Sequence, residues 1–161
     1  MSTAFTEIAS PLGKIVLTAT EQGLSGLYFE GQRWFPSEAE RADWRRDDAP
    51  FAAARSWLAA YFSGQFVPYT EPLDLRGGEF AQSVWAELRR IPPGETRTYA
   101  GIAQAIGNPK AVRAVGAAIG RNPVSVIVPC HRVVGSGGAL TGYAGGIDRK
   151  RQLLELEGAL R

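Results

Sequence analysis

Pro129-Cys130-His131-Arg132-Val133 contains the only cysteine and the only histidine of this 161-residue chain, and the two are adjacent. The nucleophilic form of cysteine is the thiolate, and a nearby imidazole commonly activates the thiol. An isolated Cys-His pair is more often a buried structural thiol beside an ordinary histidine. The residues around the motif therefore decide whether it marks a functional site, and they also predict the fold that contains it.

A helix-turn-helix pattern lies upstream of the motif. Thr98 is a good N-cap for a helix that extends to residue 106. Asn108 and Pro109 predict a tight turn, and a second helix is predicted over residues 110–119. Two short helices joined by a brief turn are typical of the helix-turn-helix.

Three further elements complete the second half of the chain. Residues 126–134, followed by glycines at 137 and 138, predict a strand and a turn that resemble a wing. A final amphipathic helix is predicted over residues 148–157. Apolar residues at helical spacing predict one more helix, with a core face formed by Phe80, Val84, Trp85 and Leu88. We therefore expect a mostly helical, winged helix-turn-helix domain over residues 76–161 that carries the motif.

The first half of the chain alternates β-prone runs with one helical pattern. Strands are predicted at residues 5–8, 14–19, 24–29 and 73–75. A hairpin turn is predicted at 21–23, a loop at 36–50 and a helix over 51–62. The fold class is therefore α/β of the α+β kind, in which a small N-terminal α/β domain with an antiparallel sheet occupies residues 1–75.

Charge is unevenly divided between these two parts. Residues 1–75 carry 6 basic and 10 acidic side chains, a net charge of −4, and residues 76–161 carry 12 basic and 6 acidic, a net charge of +6. A polyanion would be repelled by the first part and attracted by the second. We expect residues 76–161 to contact nucleic acid phosphates, although accidental segregation of solvated charges would give the same numbers.

Composition limits the class of protein further. With 45% hydrophobic and 21% charged residues, the chain has a globular composition. A single cysteine cannot form an intramolecular disulfide and fits a reducing compartment. No apolar run has the length of a membrane span, and the first residues lack a signal-peptide pattern. We expect a cytoplasmic protein with no membrane partner, and no metal site, because zinc sites need clusters of Cys and His.

The second helix of the helix-turn-helix is poor in base-reading side chains. Within residues 111–119, Arg113 is the only side chain of the kind that normally reads base edges in the major groove. The other residues in this range are small or aliphatic, including Ala114, Gly116 and Ala117. Small side chains allow close approach to the narrow minor groove, but they would equally pack a helix into a core.

The blocks around the motif resemble the O6-alkylguanine-DNA alkyltransferases, also called methylated-DNA–protein-cysteine methyltransferases. The resemblance covers residues 79–158 in register and is only loose before them. It is carried by Ile91-Pro92-Pro93-Gly94-Glu95-Thr96, Thr98-Tyr99, Gly107-Asn108-Pro109, Ala111-Val112-Arg113-Ala114-Val115-Gly116, Arg121-Asn122-Pro123, the Pro129–Val133 motif, Leu140-Thr141-Gly142-Tyr143-Ala144-Gly145-Gly146 and Leu153-Leu154-Glu155-Leu156-Glu157-Gly158.

The resemblance implies a direct displacement at Cys130. Its thiolate would attack the alkyl carbon of O6-alkylguanine, with O4-alkylthymine as a second substrate. His131 would assist, and Glu157 matches the carboxylate that orients this histidine. Adjacent residues of an extended strand point to opposite faces, so we expect a water to link Cys130 and His131. Because the thioether product is inert, the protein would act once and no cofactor is needed.

The same resemblance implies roles for residues around the base. Tyr99 matches a tyrosine that donates a hydrogen bond or proton to N3 of guanine, and Tyr143 belongs to the substrate-binding loop. The carbonyls of Cys130 and Val133 match acceptors for the exocyclic amine. The N–H of Ala144 matches the donor to O6. Asn122 matches an asparagine that braces the turn before the active-site segment.

Contact with DNA is also implied by the resemblance. Arg113, Ala114, Gly116 and Ala117 would contact the minor groove, with Arg113 in the stack where the flipped nucleotide had been. Flipping is needed because a base inside a duplex is out of reach of a nucleophile. The expected partner is double-stranded DNA with O6-alkylguanine. The expected state is a monomer in solution, and cooperative assembly on DNA stays open.

Two other functions remain open on the residues alone. A winged-helix regulator would need base-reading side chains and usually a dimer interface, and neither is visible in the sequence. A Cys-His hydrolase would need an oxyanion hole and would accept substrates other than nucleic acid.

Overall fold

A four-stranded sheet forms the N-terminal part of the protein, in a computed structural model that describes residues 3–160. The strands are β1 (Ala4–Ile8), β2 (Ile15–Thr20), β3 (Gly23–Phe29) and β4 (Arg45–Arg46). Their order in the sheet is β3-β2-β1-β4. The strands β1, β2 and β3 pair antiparallel, as predicted, whereas β4 adds a short parallel edge beside β1.

The segment at 36–50 is more structured than the predicted loop. It contains α1 (Glu38–Arg41) and β4, and it ends in a short 3₁₀ helix, Ala49–Phe51. A capping box explains α1, because Ser37 accepts from the N–H of Glu40 while the Glu40 side chain accepts from the N–H of Ser37. The Ser-x-x-Glu spacing was visible in the sequence. The long helix α2 (Ala52–Phe62) follows as predicted.

Helices dominate the C-terminal part. They are α3 (Glu79–Leu88), α4 (Tyr99–Ala105), α5 (Val112–Gly120) and α6 (Ile147–Leu156). Thr98 caps α4 by accepting from the N–H of Gly101, at 3.0 Å. The α+β class and the helix-turn-helix formed by α4 and α5 are therefore confirmed. Phe80, predicted to face the core, is 36% exposed, so the buried face of α3 begins at Val84.

The predicted strand over 126–134 is mostly wrong. Only Val133–Val134 forms a strand, β6, which pairs in parallel with β5 (Arg97–Thr98). Residues before it bond locally instead: the N–H of Val128 donates to Val124, and the N–H of Cys130 donates to Val128. Pro129 lacks an N–H for a strand ladder. The wing is therefore reduced to one two-residue pair beside a turn.

One hydrophobic core joins both parts of the chain. It includes Leu27 of β3, Leu58 of α2, Val115 of α5 and Leu153 of α6. The predicted strand at 73–75 is a single bridge between Leu24 and Leu73. The boundary between residues 75 and 76 stays a prediction.

We call residues 123–133, which include the Cys-His motif, the active-site segment. The start of this segment is anchored to the N-terminal sheet. The N–H of Leu27 donates to the carbonyl of Pro123 at 2.9 Å, and the N–H of Ser125 donates to Leu27 at 3.3 Å. These bonds attach the chain just before the Cys-His motif to β3. The position of the motif therefore depends on both parts of the molecule.

Candidate active site

Cys130 begins a 3₁₀ helix, Cys130–Arg132, at the end of the anchored segment. Its side chain is buried, with 3% exposure. The turn before it is braced by Asn122, whose Nδ2 donates to the carbonyl of Val128 at 2.8 Å and whose Oδ1 accepts from the N–H of Val124 at 3.0 Å. The backbone around Cys130 is therefore a turn held in place, and the extended strand expected from the sequence is not formed.

Glu157 lies at the centre of a buried cluster that includes His131. Oε2 of Glu157 lies 2.7 Å from Nε2 of His131 and accepts from the hydroxyl of Tyr61 at 2.5 Å. Arg132 donates two hydrogen bonds to the same carboxylate. Its Nε lies 2.8 Å from Oε1 of Glu157, and its Nη2 lies 2.8 Å from Oε2. A further bond from Arg132 to the carbonyl of Ile91 fixes the guanidinium. The cluster holds Glu157, and through it His131, in one orientation.

The electrostatics of this cluster favour a neutral His131 beside an ionised Glu157. Burial lowers the pKa of His131 below its ordinary value. Burial alone would raise the pKa of Glu157, but hydrogen bonds from His131 and Arg132 outweigh it and lower the pKa to about 2. A carboxylate is only an acceptor, so Nε2 of His131 carries the proton. Nδ1 has no hydrogen-bond partner within residues 3–160, which leaves it available as a base.

The thiol of Cys130 is not ionised by its surroundings alone. Burial raises its pKa, while Asn122, Lys150 and Ser125 act in the opposite direction. Because the net shift is upward, the neutral thiol predominates at neutral pH. A base must therefore take the proton when Cys130 attacks.

Lys150 ties the active-site segment to the loop after it. Its buried Nζ donates to the carbonyl of Val133 at 2.6 Å and to that of Thr141 at 2.8 Å. Burial lowers the pKa of this amine to about 8. The Val133 carbonyl retains a second lone pair for another donor. Lys150 thus holds the predicted acceptor in place.

Sequence reasoning missed three residues of this site: Arg132, Lys150 and Tyr61. Lys150 carried a signal, since it shares one helical face with Leu153 and Glu157, and all three are buried. Arg132 lies within the quoted motif. Tyr61 is 96 residues from Glu157 in the sequence, and no local pattern predicts that contact.

A cavity of about 490 Å³ brings most of the other predicted residues together. It is lined by Arg33, Trp34, Tyr99, Val112, Arg113, Gly116, Ile119, Gly120, Thr141, Gly142, Tyr143 and Ala144. The hydroxyl of Tyr99 accepts from Oγ1 of Thr141 at 3.1 Å, which leaves its own proton free to donate. The N–H of Ala144 has no partner within the described part of the chain. The cavity thus brings together Tyr99 and Ala144, the two residues predicted to donate to the base, whereas Cys130 and His131 do not line it.

The exposed face of α5 borders this cavity. Arg113, Ala114 and Ala117 are exposed and Gly116 is half-buried, whereas the opposite face packs in the core. Among residues 3–160, none forms an ion pair or hydrogen bond with the Arg113 side chain. Arg113 is therefore the one long side chain on a face of small residues.

Within residues 3–160, no group of three His, Cys, Asp or Glu side chains could hold a metal ion. No helix in that part of the chain is long and apolar enough to cross a membrane.

The Glu157 cluster predicts a loss of stability in acid. The folded-state pKa of Glu157, about 2, lies below the ordinary value of 4.5. Its contribution of about 3 kcal/mol is therefore complete above about pH 4.5 and disappears as the pH falls towards 2. Urea unfolding at several pH values measures this. Glu157→Gln should be less stable than wild type at pH 6, with a gap that narrows by pH 2.

Glu155→Gln is the matched control, because Glu155 is an exposed carboxylate in the last turn of α6, two residues before Glu157. It should retain the acid-dependent loss of wild type. An unfolding free energy of Glu157→Gln that runs parallel to wild type from pH 6 to 2 would contradict the account.

A helix-turn-helix beside a buried thiol and an oriented imidazole defines the class as a thiol-dependent, nucleic-acid-binding enzyme. Residues 79–159 match the 6-O-methylguanine DNA methyltransferase DNA-binding domain, and residues 4–75 match the ribonuclease-like domain of the same family. The chain belongs to the 6-O-methylguanine DNA methyltransferase family. It is therefore a DNA-repair methyltransferase, and the regulator and hydrolase alternatives are set aside.

Relatives are similar over nearly the whole chain. A methylated-DNA–protein-cysteine methyltransferase of Mycobacterium bovis is 50% identical over 150 residues, which cover 93% of this chain and 89% of that protein. One of the same name from Methanosarcina acetivorans is 49% identical over 152 residues, covering 93% and 95%. The crystal structure of Mycobacterium tuberculosis OGT in complex with DNA is 46% identical, covers 99% of this chain and 94% of that chain, and has a TM-score of 0.88.

Proposed function

We propose that this protein repairs O6-alkylguanine in duplex DNA by moving the alkyl group irreversibly to Cys130. The observation that carries the proposal is the geometry of His131, which directly follows the chain's only cysteine. Its Nε2 lies 2.7 Å from Oε2 of Glu157, and its Nδ1 has no partner among residues 3–160. A relative has been solved in complex with DNA, which supports DNA as the partner.

The displacement needs one proton to leave the thiol. Nδ1 of His131 takes it through a bridging water as Sγ of Cys130 forms a bond to the alkyl carbon. The bond from that carbon to O6 breaks, and its electron pair stays on guanine. The negatively charged carboxylate of Glu157 stabilises the resulting imidazolium. The thioether product leaves Cys130 unable to react again.

Groups around the cavity would hold the base and accept its charge. Tyr99 would donate a hydrogen bond or a proton to N3 of guanine, and the N–H of Ala144 would donate to O6, so the negative charge that the broken bond leaves on the base is stabilised. The carbonyls of Cys130 and Val133 would accept from the exocyclic amine, and Tyr143 would contact the base. Both Tyr99 and Ala144 have free donors on the cavity side of the site, which supports this arrangement.

DNA would dock through α5 in the minor groove. Ala114, Gly116 and Ala117 allow close approach to the groove. Arg113 would fill the gap left by the flipped nucleotide, because its planar cation can stack among bases. Its exposure at the edge of the cavity supports this role.

The substrate range of the protein would include O4-alkylthymine as a second substrate. The protein would act as a monomer in the cytoplasm, where a free thiol stays reduced. Residues 76–161 would form the domain that binds DNA and accepts the alkyl group, and residues 1–75 the domain that supports it.

Replacing Cys130 with serine tests the proposal. Cys130→Ser should bind a duplex that contains O6-methylguanine within about threefold of wild type and restore no guanine. The affinity of both proteins should fall steeply with salt, because phosphate contacts release counterions. Restoration of guanine by the serine variant, or a salt-independent affinity, would contradict the proposal.

A further inference from the structure

Two arginines from different parts of the chain flank one exposed tryptophan at the edge of the cavity. Cζ of Arg121 lies 4.0 Å from the ring centroid of Trp34, and Cζ of Arg33 lies 4.9 Å from it. Both distances lie within the range of cation–π interactions. Trp34 is 48% exposed, the highest exposure of an aromatic residue in the described chain. We call Arg33, Trp34 and Arg121 the rim cluster.

The rim cluster is held in a fixed position. Trp34 has a φ of 65°, in the left-handed region that bulky residues rarely adopt. The turn around it is braced by the buried Gln32, which accepts from the N–H of Phe29 at 2.8 Å and donates to the carbonyl of Arg33 at 3.0 Å. A strained backbone that the surroundings hold in place is typical of binding sites.

The braced turn is attached directly to the predicted substrate loop. The N–H of Arg33 donates to the carbonyl of Ala144 at 2.9 Å. Ala144 is the residue whose own N–H is proposed to contact O6 of guanine. Arg33 and Trp34 line the same cavity as Arg113 and Tyr99. The N-terminal part of the chain therefore forms part of the wall of the nucleotide cavity.

Charge identifies what the rim cluster can bind. Within residues 3–160, no carboxylate pairs with the side chain of Arg33 or of Arg121. Two unpaired guanidinium groups beside a cavity for a nucleotide suit phosphate oxygens, which arginine contacts with two parallel donors. The part of the Trp34 indole that the two guanidinium groups leave exposed suits the apolar side of a sugar ring. This charge lies partly in the half of the chain whose net charge is −4.

We propose that the rim cluster binds the backbone of the DNA strand that carries the extruded nucleotide. Arg33 and Arg121 contact its phosphates, and Trp34 packs against the adjoining sugar. The N-terminal part of the chain thereby contributes directly to DNA binding, in addition to the contacts of α5. This inference rests on the proposed function of the same site.

The test compares two double variants with the same loss of charge. One is Arg33→Ala/Arg121→Ala. The control is Arg90→Ala/Arg151→Ala, since both of these arginines are exposed and lie outside the cavity. Trp34→Ala is measured beside them. Each change is made in Cys130→Ser to measure affinity for an O6-methylguanine duplex, and in the wild-type background to measure reaction with free O6-benzylguanine.

The rim double variant is expected to bind the duplex at least tenfold more weakly than the control double variant. The slope of log affinity against log salt should shrink by about 2, because two phosphate contacts are lost. Trp34→Ala should weaken binding at least threefold without changing that slope. All variants should react with free O6-benzylguanine within twofold of wild type, which shows that fold and chemistry are intact.

Three results would overturn the rim proposal. The first is equal affinity losses in the rim and control double variants. The second is an unchanged salt slope. The third is a matching loss with free O6-benzylguanine, which would place Trp34 against the base or alkyl group. If the wild-type protein transfers from neither substrate, the proposed function itself is wrong, so the two failures are distinguishable.

Discussion

A His131→Asn variant is expected to transfer alkyl groups about 10²–10⁴-fold more slowly than wild type, because a positioned base contributes a factor of this size. This loss of rate is expected because the thiol of Cys130 needs a base to remove its proton. Burial raises the pKa of Cys130, so the thiol does not ionise by itself, and the neighbouring residue His131 has an Nδ1 without a partner among residues 3–160. Single-turnover rates with duplex DNA and with free O6-benzylguanine measure the effect. Both should fall equally, since both reactions need the same proton transfer.

The pH profile separates this role from a structural one. Burial lowers the pKa of His131 below 6.5, so the wild-type rate should show no fall between pH 8 and pH 6.5 and decline only in more acidic solution. In His131→Asn the residual rate should rise with pH, as the thiol ionises without help. A loss of less than threefold, or a variant whose profile matches wild type, would assign the proton to another group.

An Arg113→Ala variant is expected to lose rate on duplex DNA but not on free O6-benzylguanine. Its rate on duplex DNA should fall by about tenfold or more, because unstacking a base costs a few kcal/mol and each 1.4 kcal/mol is a factor of ten. Its rate with free O6-benzylguanine should stay within twofold of wild type, since a free base needs no extrusion. The chemical groups at Cys130 and His131 are untouched.

Arg151→Ala is the matched control for Arg113→Ala. It removes the same charge from an exposed position on α6, away from the cavity. It should retain the wild-type ratio of the two rates. Equal losses on both substrates in Arg113→Ala would show that Arg113 supports the fold or the thiol, and the role in base flipping would be wrong.

Local patterns predicted most of the fold. Hairpin, caps and helical spacing gave β1 to β3 and all the long helices, because each depends on residues close in sequence. The strand over 126–134 failed for a physical reason. Its apolar residues are buried in the hydrophobic core, and burial of this kind needs no strand ladder. An apolar run alone does not distinguish the two cases.

The site residues that belong to a sequence motif could be predicted, whereas those that reach the site only through tertiary packing could not. Cys130, His131 and Glu157 followed from the resemblance, and the structure places His131 and Glu157 in contact. The roles of these residues stay predictions. Tyr61 and Trp34 could not be found, because each reaches the site from the N-terminal part through a long-range contact. The net charge of that part even argued against a role beside DNA.

The most direct measurement is the intact mass of the protein after incubation with excess duplex that contains O6-methylguanine. The account predicts a gain of one methyl group per chain, located on Cys130 by peptide mapping, with one guanine restored per protein and no further turnover. The thioether is inert, and Cys130 is the only cysteine in the chain. Restoration of several guanines per protein, a methyl group on another residue, or an unchanged mass would contradict it.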